Sequence, residues 1–353
     1  MEYKAELDNL INTLVQEGGS DLHLSAGSFP TIRVDGALIP LMKKERTTAE
    51  DTLGFAKVLL NEEQFTRFTT NHEIDFSYSH DEKARFRGNG FFQRESASLA
   101  LRLIPRDIRT LEELGLPPVL ENFAERQQGF FLVVGPVGQG KTTTLASIIE
   151  LINQRRTEHI ITIEDPIEYI YEEKKSMIEQ REVRIDTKDF ATALHSTFRQ
   201  DVDVILIGEM RGPDTMSAAV TAAETGHLVF STLHTNNAAQ TIDRIIDSFP
   251  STQQDQIRIQ LAASLAGIFS QRLIPKVSGG LVPAYELLIN NKAVANLIRE
   301  KRTHEINTVI ETGVEEGMID MNRSLAELVR RGDITVENAY SHSLNPQILE
   351  RLI

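Results

Sequence analysis

The feature that most constrains the fold is an eight-residue segment near the middle of the chain, residues 135–142. It reads Gly-Pro-Val-Gly-Gln-Gly-Lys-Thr and matches the pattern G-x-x-x-x-G-K-[ST]. The apolar run 130–134 predicts a buried strand before it, and the apolar spacing in residues 143–152 predicts a helix after it. This order is typical of a phosphate-binding loop, so the chain is predicted to bind a nucleoside triphosphate. The alternative is a glycine turn that only joins a strand to a helix.

The chemistry of such a loop assigns roles to its residues. Glycines let successive backbone N–H groups point at phosphate oxygens, and the N-terminus of the following helix adds partial positive charge. Lys141 is predicted to reach the β- and γ-phosphates of ATP, and the Thr142 hydroxyl is predicted to bind Mg²⁺. The predicted nucleotide contacts are Gly135, Pro136, Val137, Gly138, Gln139, Gly140, Lys141, Thr142 and Thr143.

Composition narrows the class of protein further. The 353 residues are enough for two domains, and 51 acidic residues against 37 basic ones give a net charge of −14. This balance argues against a nucleic-acid partner, which usually requires a basic face. Cysteine is absent, which excludes disulfides and cysteine-bound zinc. Without a signal-peptide pattern or an apolar run of 18 residues, we expect a cytoplasmic protein with no direct membrane insertion, held at a membrane only through a partner.

The chain divides into two parts that differ in sequence pattern. Residues 1–105 combine an opening amphipathic helix, short alternating strands and a helical stretch at 49–68. They predict a small mixed α/β domain on an antiparallel sheet, in which segments 84–87 and 90–93 form separate strands. Residues 106–118 are predicted to be a linker, because they contain consecutive prolines.

Residues 119–353 are predicted to form a second α/β domain with a helical C-terminal region. Its apolar runs predict strands that are buried on both faces, as in a parallel sheet covered by helices. These runs are 131–134, 160–163, 204–207 and 228–230. Polar, chemically useful residues follow each run, and open α/β sheets bind ligands at the carboxyl ends of their strands. The sequence therefore predicts a nucleotide site at this edge of the sheet.

Carboxylates follow two of these strands. Glu164 is predicted to orient and polarise the attacking water, whereas Asp165 is equally well explained as a turn residue before a proline. Glu209 follows the third strand, at the position called Walker B, where Gly208 replaces the usual first acid. Glu209 is therefore predicted to bind Mg²⁺ through water, so that Thr142 is the only protein residue predicted to bind the ion directly.

Histidines and arginines complete the candidate set. His234, at the carboxyl end of the fourth strand, is predicted to sense the γ-phosphate, while His227 is equally well explained as a hydrogen-bonded residue at the strand start. A metal site formed by the two is an alternative that lacks a third ligand nearby. Arginines can stabilise charge on a transferred phosphoryl group, and alternation favours Arg87 and Arg102 because it places them on one sheet face. The other candidates are Arg85, Arg94, Arg199 and Arg211.

Four segments together resemble the motifs of the secretion ATPase superfamily. The loop at 135–142, residues 160–168, residues 208–211 and residues 222–235 correspond to the Walker A motif, acidic box, Walker B motif and histidine box of that family. Residues 293–300 resemble the segment that marks the type IV pilus retraction ATPases within it. The resemblance extends over nearly the whole chain.

The resemblance implies a PAS-like N-terminal domain, a RecA-like ATPase domain and a homohexameric ring with ATP bound between the two domains. It also implies that arginines of the first domain reach the phosphates. Rotation between the domains would then drive pilus retraction and disassembly, the basis of twitching motility. The implied partners are an inner-membrane platform protein and, as an option, a second retraction ATPase. The implied location is the cytoplasmic side of the inner membrane, at the base of the pilus machine.

Departures from the family pattern keep other functions open. Val137 and Gln139 stand where the family usually has threonine and serine, and Ala295 replaces an arginine in the retraction segment. These changes raise the alternative of a weakly active accessory ring subunit or scaffold. A nucleic-acid translocase on the same core is a third and less favoured hypothesis, because the net charge opposes it.

Overall fold

Backbone contacts divide the chain into two units in a computed structural model that describes residues 2–34, 36–80, 84–105 and 107–353. The first unit comprises Met1–Arg106 and Glu168–Ile170, and the second comprises Asp107–Ile167 and Tyr171–Ile353. Position 106, where the predicted linker starts, lies outside the described residues.

The first unit is built on an antiparallel sheet. Its described elements are α1 (Tyr3–Gln16), β1 (Asp21–Ser25), β2 (Thr31–Val34), β3 (Ala37–Pro40), α2 (Ala49–Leu59), α3 (Glu62–Asn71), β4 (Glu73–His80), β5 (Ala84–Gln93) and β6 (Ser96–Ile104). The strand order is β3-β2-β1-β6-β5-β4, and every neighbouring pair is antiparallel. Apolar residues of α1 at helical spacing, Leu7, Leu10, Ile11 and Leu14, are fully buried in the core of this unit.

Two sequence predictions for the first unit are wrong in detail. The helical stretch at 49–68 is two helices, because the Asn61 side chain accepts a hydrogen bond from Gln64 N at 2.8 Å and starts α3 there. Segments 84–87 and 90–93 form one strand, β5. Its Gly88 supports ring packing instead of a turn, since a Cβ there would overlap the Phe76 ring.

The second unit contains a mostly parallel sheet, as predicted. Its described strands are β7 (Gly129–Val134), β8 (His159–Glu164), β9 (Met177–Glu182), β10 (Val204–Ile207), β11 (Leu228–Leu233), β12 (Leu265–Pro275) and β13 (Leu281–Ile289). Their order is β13-β12-β7-β11-β10-β8-β9, and only the β12–β13 pair is antiparallel in this described sheet. The adjacent strands β7, β11 and β10 in the middle of the sheet are buried at every residue, which explains their continuous apolar runs.

Helices cover this sheet and form the C-terminal region. They are α4 (Glu121–Ala124), α5 (Lys141–Arg155), α6 (Phe190–Thr197), α7 (Pro213–Glu224), α8 (Ala238–Asp247), α9 (Ser251–Ser264), α10 (Lys292–Arg299), α11 (Ile306–Thr312), α12 (Met321–Arg330), α13 (Val336–His342) and α14 (Pro346–Leu352). Short 3₁₀ turns lie at Pro118–Leu120, Thr303–Glu305 and Val314–Glu316. The C-terminal region is not purely helical, because the β12–β13 hairpin passes through it and packs against α12.

The β12–β13 hairpin buries one carboxyl group, that of Glu286. Its side chain is 5 % exposed and accepts a hydrogen bond from Ala238 N, at the start of α8, at 2.8 Å. Burial raises the pKa of Glu286 to about 7, against the opposing effect of the Ala238 bond and of Arg272. The native state therefore holds this proton at pH values where the unfolded chain releases it.

This burial predicts a pH-dependent stability. As pH rises from the ordinary glutamate value of 4.5 to about 7, the native state loses about 3 kcal/mol relative to the unfolded chain through Glu286. In Glu286→Gln this loss is absent, so the variant should gain stability over the wild type across that range. Urea midpoints of both proteins at pH 5 and pH 8 measure the effect. The control is Glu311→Gln, which changes an exposed carboxyl group that lines the same pocket as Glu286. Equal pH slopes in wild type and Glu286→Gln would contradict the prediction.

Candidate nucleotide site

The glycine loop follows β7 and leads directly into α5. Gly135 has a φ of 146° and Gly140 a φ of 77°, values that favour glycine. A Cβ on Gly135 would also overlap the backbone oxygen of Gln271 on β12. Gly140 is the N-cap of α5, so the helix begins at Lys141 and directs its N-terminus at the loop.

Lys141 is folded back onto the loop. Its Nζ donates to the carbonyl oxygens of Gly135 and Pro136, each at 2.8 Å, and lies 3.3 Å from His234 Nδ1. The residue is only 7 % exposed. Thr142 and Thr143, on the next positions of α5, are half-buried. The lysine that should contact phosphates is thus already held at the mouth of the loop.

The two unusual loop residues behave differently. Val137 is 80 % exposed and lies at the tip of the loop beside the exposed Gly138. Gln139 is anchored, because its Oε1 accepts a hydrogen bond from Leu273 N on β12 at 2.7 Å. A serine at position 139 is too short to make the same contact, so the departure at 139 adds a link between the loop and the neighbouring strand.

Glu164 ends β8 beside β10. Its side chain is 4 % exposed, and its Oε1 accepts a hydrogen bond from the Thr162 hydroxyl at 2.7 Å. Gly208, after β10, lies against the Glu164 backbone, where an added Cβ would come within 3.4 Å of Glu164 Cα. Gly208, which stands where the first Walker B acid is missing, is therefore a direct neighbour of Glu164, and a Cβ there would make an ordinary van der Waals contact.

Glu209 lies between Arg211 and His234 at the ends of β10 and β11. Its Oε1 pairs with Arg211, and its Oε2 lies 3.8 Å from His234 Nε2. The hydrogen bond to Glu209 raises the pKa of Arg211 above its usual value. Because His234 also contacts Lys141, it connects the loop lysine with the Walker B carboxylate. The structure thus brings Lys141, His234 and Glu209 together at neighbouring strand ends.

The two histidines around β11 do not form a metal pair. They flank a six-residue strand, which separates them by about 20 Å. His227 Nδ1 lies 3.0 Å from the Ala222 carbonyl, and its ring packs edge-on against Phe198. Among the described residues, no cluster of three or more His, Cys, Asp or Glu side chains is arranged to hold a metal ion.

Arg87 and Arg102 lie directly opposite each other on β5 and β6, in the first unit, and so leave the same sheet face. Arg102 Nε donates to Asp21 Oδ1 at 2.8 Å, while Arg87 lies 3.8 Å from Glu168. Although burial opposes the shift, hydrogen bonds from Ser20 and Arg102 lower the pKa of Asp21. Asp21 therefore stays charged and holds Arg102.

The remaining arginine candidates lie elsewhere. Arg94 is exposed at the turn after β5, with a positive φ of 46°, and Arg199 is exposed just after α6. Arg85 is half-buried on β5, two residues before Arg87. Arg211 lies in the second unit and pairs with Glu209.

The residues present fit a magnesium-bound nucleotide. A hydroxyl at Thr142 and a partly exposed carboxylate at Glu209 are oxygen donors of the kind that Mg²⁺ uses together with phosphate and water. The sequence prediction missed Gln271 and Thr144, whose side chains meet behind the loop. Position 271 lies 127 residues after position 144, so no local motif could connect them.

The fold and the loop together define a P-loop nucleoside triphosphatase, with the glycine loop between β7 and α5 of a mostly parallel sheet. The chain belongs to the family described as type II/IV secretion system protein, whose sequence profile matches residues 3–338. The sequence prediction of a secretion ATPase is confirmed by this match.

Several relatives are similar along nearly the whole chain. The type IV pilus retraction ATPase PilT of Pseudomonas aeruginosa is 42 % identical over 346 residues, which covers 97 % of this chain and 99 % of PilT. The type IV pilus ATPase PilU of the same organism is 40 % identical over 352 residues, covering 99 % and 91 %. A crystal structure of the pilus retraction motor PilT with bound ADP superposes with a TM-score of 0.91 at 47 % identity, covering 98 % of each chain.

In the part of the chain that the structure describes, none of the helices combines the length and the apolar character that a membrane crossing requires.

Proposed function

We propose that this chain is an ATP-hydrolysing hexameric motor that drives type IV pilus retraction and disassembly. The observation that carries the proposal is the match, over 98 % of both chains, to a pilus retraction motor crystallised with ADP. The arrangement of Lys141, His234 and Glu209 beside the loop supports the same conclusion from chemistry.

The proposed roles follow from position. Lys141 exchanges the loop carbonyls for β- and γ-phosphate oxygens, and the loop N–H groups bind the remaining phosphate charge. Glu164, buried at the end of β8, orients and polarises the attacking water. His234 contacts the γ-phosphate region from the end of β11. Thr142 and, through water, Glu209 would hold Mg²⁺, which neutralises charge on the phosphates when it is bound.

Arg87 and Arg102 are proposed to stabilise the developing charge on the transferred phosphoryl group. Their shared sheet face and their exposure, with side chains 50 % and 69 % accessible, support this role. The Asp21 carboxylate fixes the direction of the Arg102 guanidinium, since charged pairs with good geometry orient arginine.

The proposed assembly is a homohexameric ring at the cytoplasmic side of the inner membrane. The ring would act on a platform protein at the base of the pilus, and a second retraction ATPase is an optional partner. The retraction role stated for PilT, together with the near full-length similarity, supports a role at the pilus.

A second candidate function is an accessory subunit that works with another retraction ATPase. The similarity to PilU, at 40 % identity against 42 % for PilT, favours neither relative strongly. Ala295 in α10, where the retraction segment of the family has arginine, supports the accessory role.

The two candidates are separated by the turnover of the purified chain. A motor should elute as a hexamer and hydrolyse ATP alone, whereas an accessory subunit should need the second ATPase for turnover. In its own organism, deletion of the gene should abolish twitching and leave pili extended. Both candidates would be contradicted by normal twitching in the deletion strain together with no ATP turnover by the chain, whether alone or mixed with the second ATPase.

A further inference from the structure

A residue on strand β12, outside all the sequence motifs named above, forms a hydrogen bond with the glycine loop. Strand β12 runs parallel to β7, with Ser270 opposite Val134, and continues beyond the point where β7 ends. The next residue, Gln271, therefore lies alongside Gly135, the first residue of the loop. Its side chain is only 3 % exposed.

The Gln271 side-chain amide forms one hydrogen bond with the loop and one with helix α5. Nε2 donates to the Gln139 carbonyl oxygen at 2.8 Å, and Oε1 accepts from the Thr144 hydroxyl at 2.6 Å. One buried side chain thus joins the loop to the first turn of α5. Because a buried amide needs partners for both its donor and acceptor, this orientation is strongly specified.

A second link runs in the opposite direction. The Gln139 side chain accepts from Leu273 N at 2.7 Å, so the loop satisfies a backbone donor of β12 while Gln271 satisfies a carbonyl of the loop. These contacts use carbonyl and hydroxyl groups. The loop N–H groups, which phosphate oxygens require, take no part in them.

We propose that Gln271 is a positioning residue that keeps the loop in its phosphate-receiving shape before nucleotide arrives. Lys141 now bonds to the carbonyls of Gly135 and Pro136 and must leave them to reach phosphate, which removes two of the loop's internal supports. The Gln271 contacts are independent of that movement. A loop that is preorganised in this way loses less conformational freedom on binding, and this gain appears as nucleotide affinity.

The test measures the dissociation constant of fluorescent ADP for the purified full chain, with its melting temperature. Gln271→Ala should weaken ADP binding about tenfold and raise the KM for ATP similarly, with kcat changed much less, because the lost contact supports bound substrate and transition state alike. Gln139→Ser, which removes only the Leu273 link, should have a smaller effect in the same direction. The matched control is Gln260→Ala, because Gln260 lies on α9 and donates a hydrogen bond to Glu224 outside the site. This variant should bind ADP with wild-type affinity.

A double-mutant cycle measures the coupling between two substitutions in ADP affinity, a quantity that general destabilisation of the fold does not change. Thr144→Val and Gln271→Ala should be strongly non-additive in ADP affinity, since each removes the same hydrogen bond. If Gln271→Ala fails to fold, the Thr144→Val and Gln139→Ser affinities decide, and unchanged values in both would overturn the inference. The inference about Gln271 rests on the nucleotide binding of the proposed function, and different results would overturn each of them. Wild type that binds no ADP would overturn the proposed function, whereas equal affinity in wild type and Gln271→Ala would overturn only the role of Gln271.

Discussion

Glu164→Gln is expected to lower the kcat for ATP hydrolysis by about 10³-fold while ADP still binds with nearly wild-type affinity. The carboxylate is buried at the end of β8, and glutamine has its shape but cannot polarise water as a charged group does. The Thr162 hydroxyl, which donates to Glu164 Oε1, can donate equally to the amide oxygen. We therefore expect the variant to fold normally. Steady-state turnover and ADP titration of the same preparation measure the two effects.

Glu179→Gln is the control for this substitution. Glu179 is an exposed residue on β9, the strand that neighbours β8, and its partner is His159. Its replacement should leave turnover unchanged. Full turnover in Glu164→Gln would rule out Glu164 as the residue that activates water.

Lys141→Ala is expected to weaken ADP and ATP binding by at least about 100-fold, because hydrogen bonds to charged groups contribute about 1.5–3 kcal/mol each. The ammonium group is already buried beside the loop, so alanine removes the positive charge from the centre of the site. Lys141→Arg should also bind poorly, since a planar guanidinium does not occupy the space of a compact ammonium.

Fluorescent ADP titration and calorimetry measure this loss directly. Lys188→Ala, which removes an exposed lysine before α6, should bind like the wild type. A Lys141→Ala protein that folds, binds ADP with wild-type affinity and hydrolyses ATP would be incompatible with the loop as the nucleotide site.

Much of the second unit could be predicted because its buried parallel strands are continuous apolar runs. Strands such as β7 and β10 have all their residues buried, so their sequences contain no alternation that could be confused with surface. In contrast, β9 was not predicted, since Met177–Glu182 is a partly exposed edge strand with mainly polar residues. The strand β12 was also missed, because its pairing with β7 depends on residues far apart in sequence.

The candidate site shows the same limit. The positions of Lys141, His234 and Glu209 follow from a local rule, that functional groups gather at the carboxyl ends of parallel strands. The partner relations do not follow from it. Gln139 looked like a simple departure from the family pattern, and only the path of β12 shows that its side chain bonds to Leu273.

The way Lys141 rests on Gly135 and Pro136 has a consequence for ligand choice. Under the proposed function, the Lys141 ammonium exchanges two carbonyl oxygens for ligand oxygens, so each ligand must offset the loss of those two hydrogen bonds. In that role Lys141 binds β- and γ-phosphate oxygens, which a nucleoside or a monophosphate does not carry. The carbonyl oxygens of Gly135 and Pro136 thus compete with a ligand for the Lys141 ammonium and lower the affinity of ligands that have few phosphate oxygens. We therefore expect the affinity of the site for adenine nucleotides to increase with the number of their phosphates.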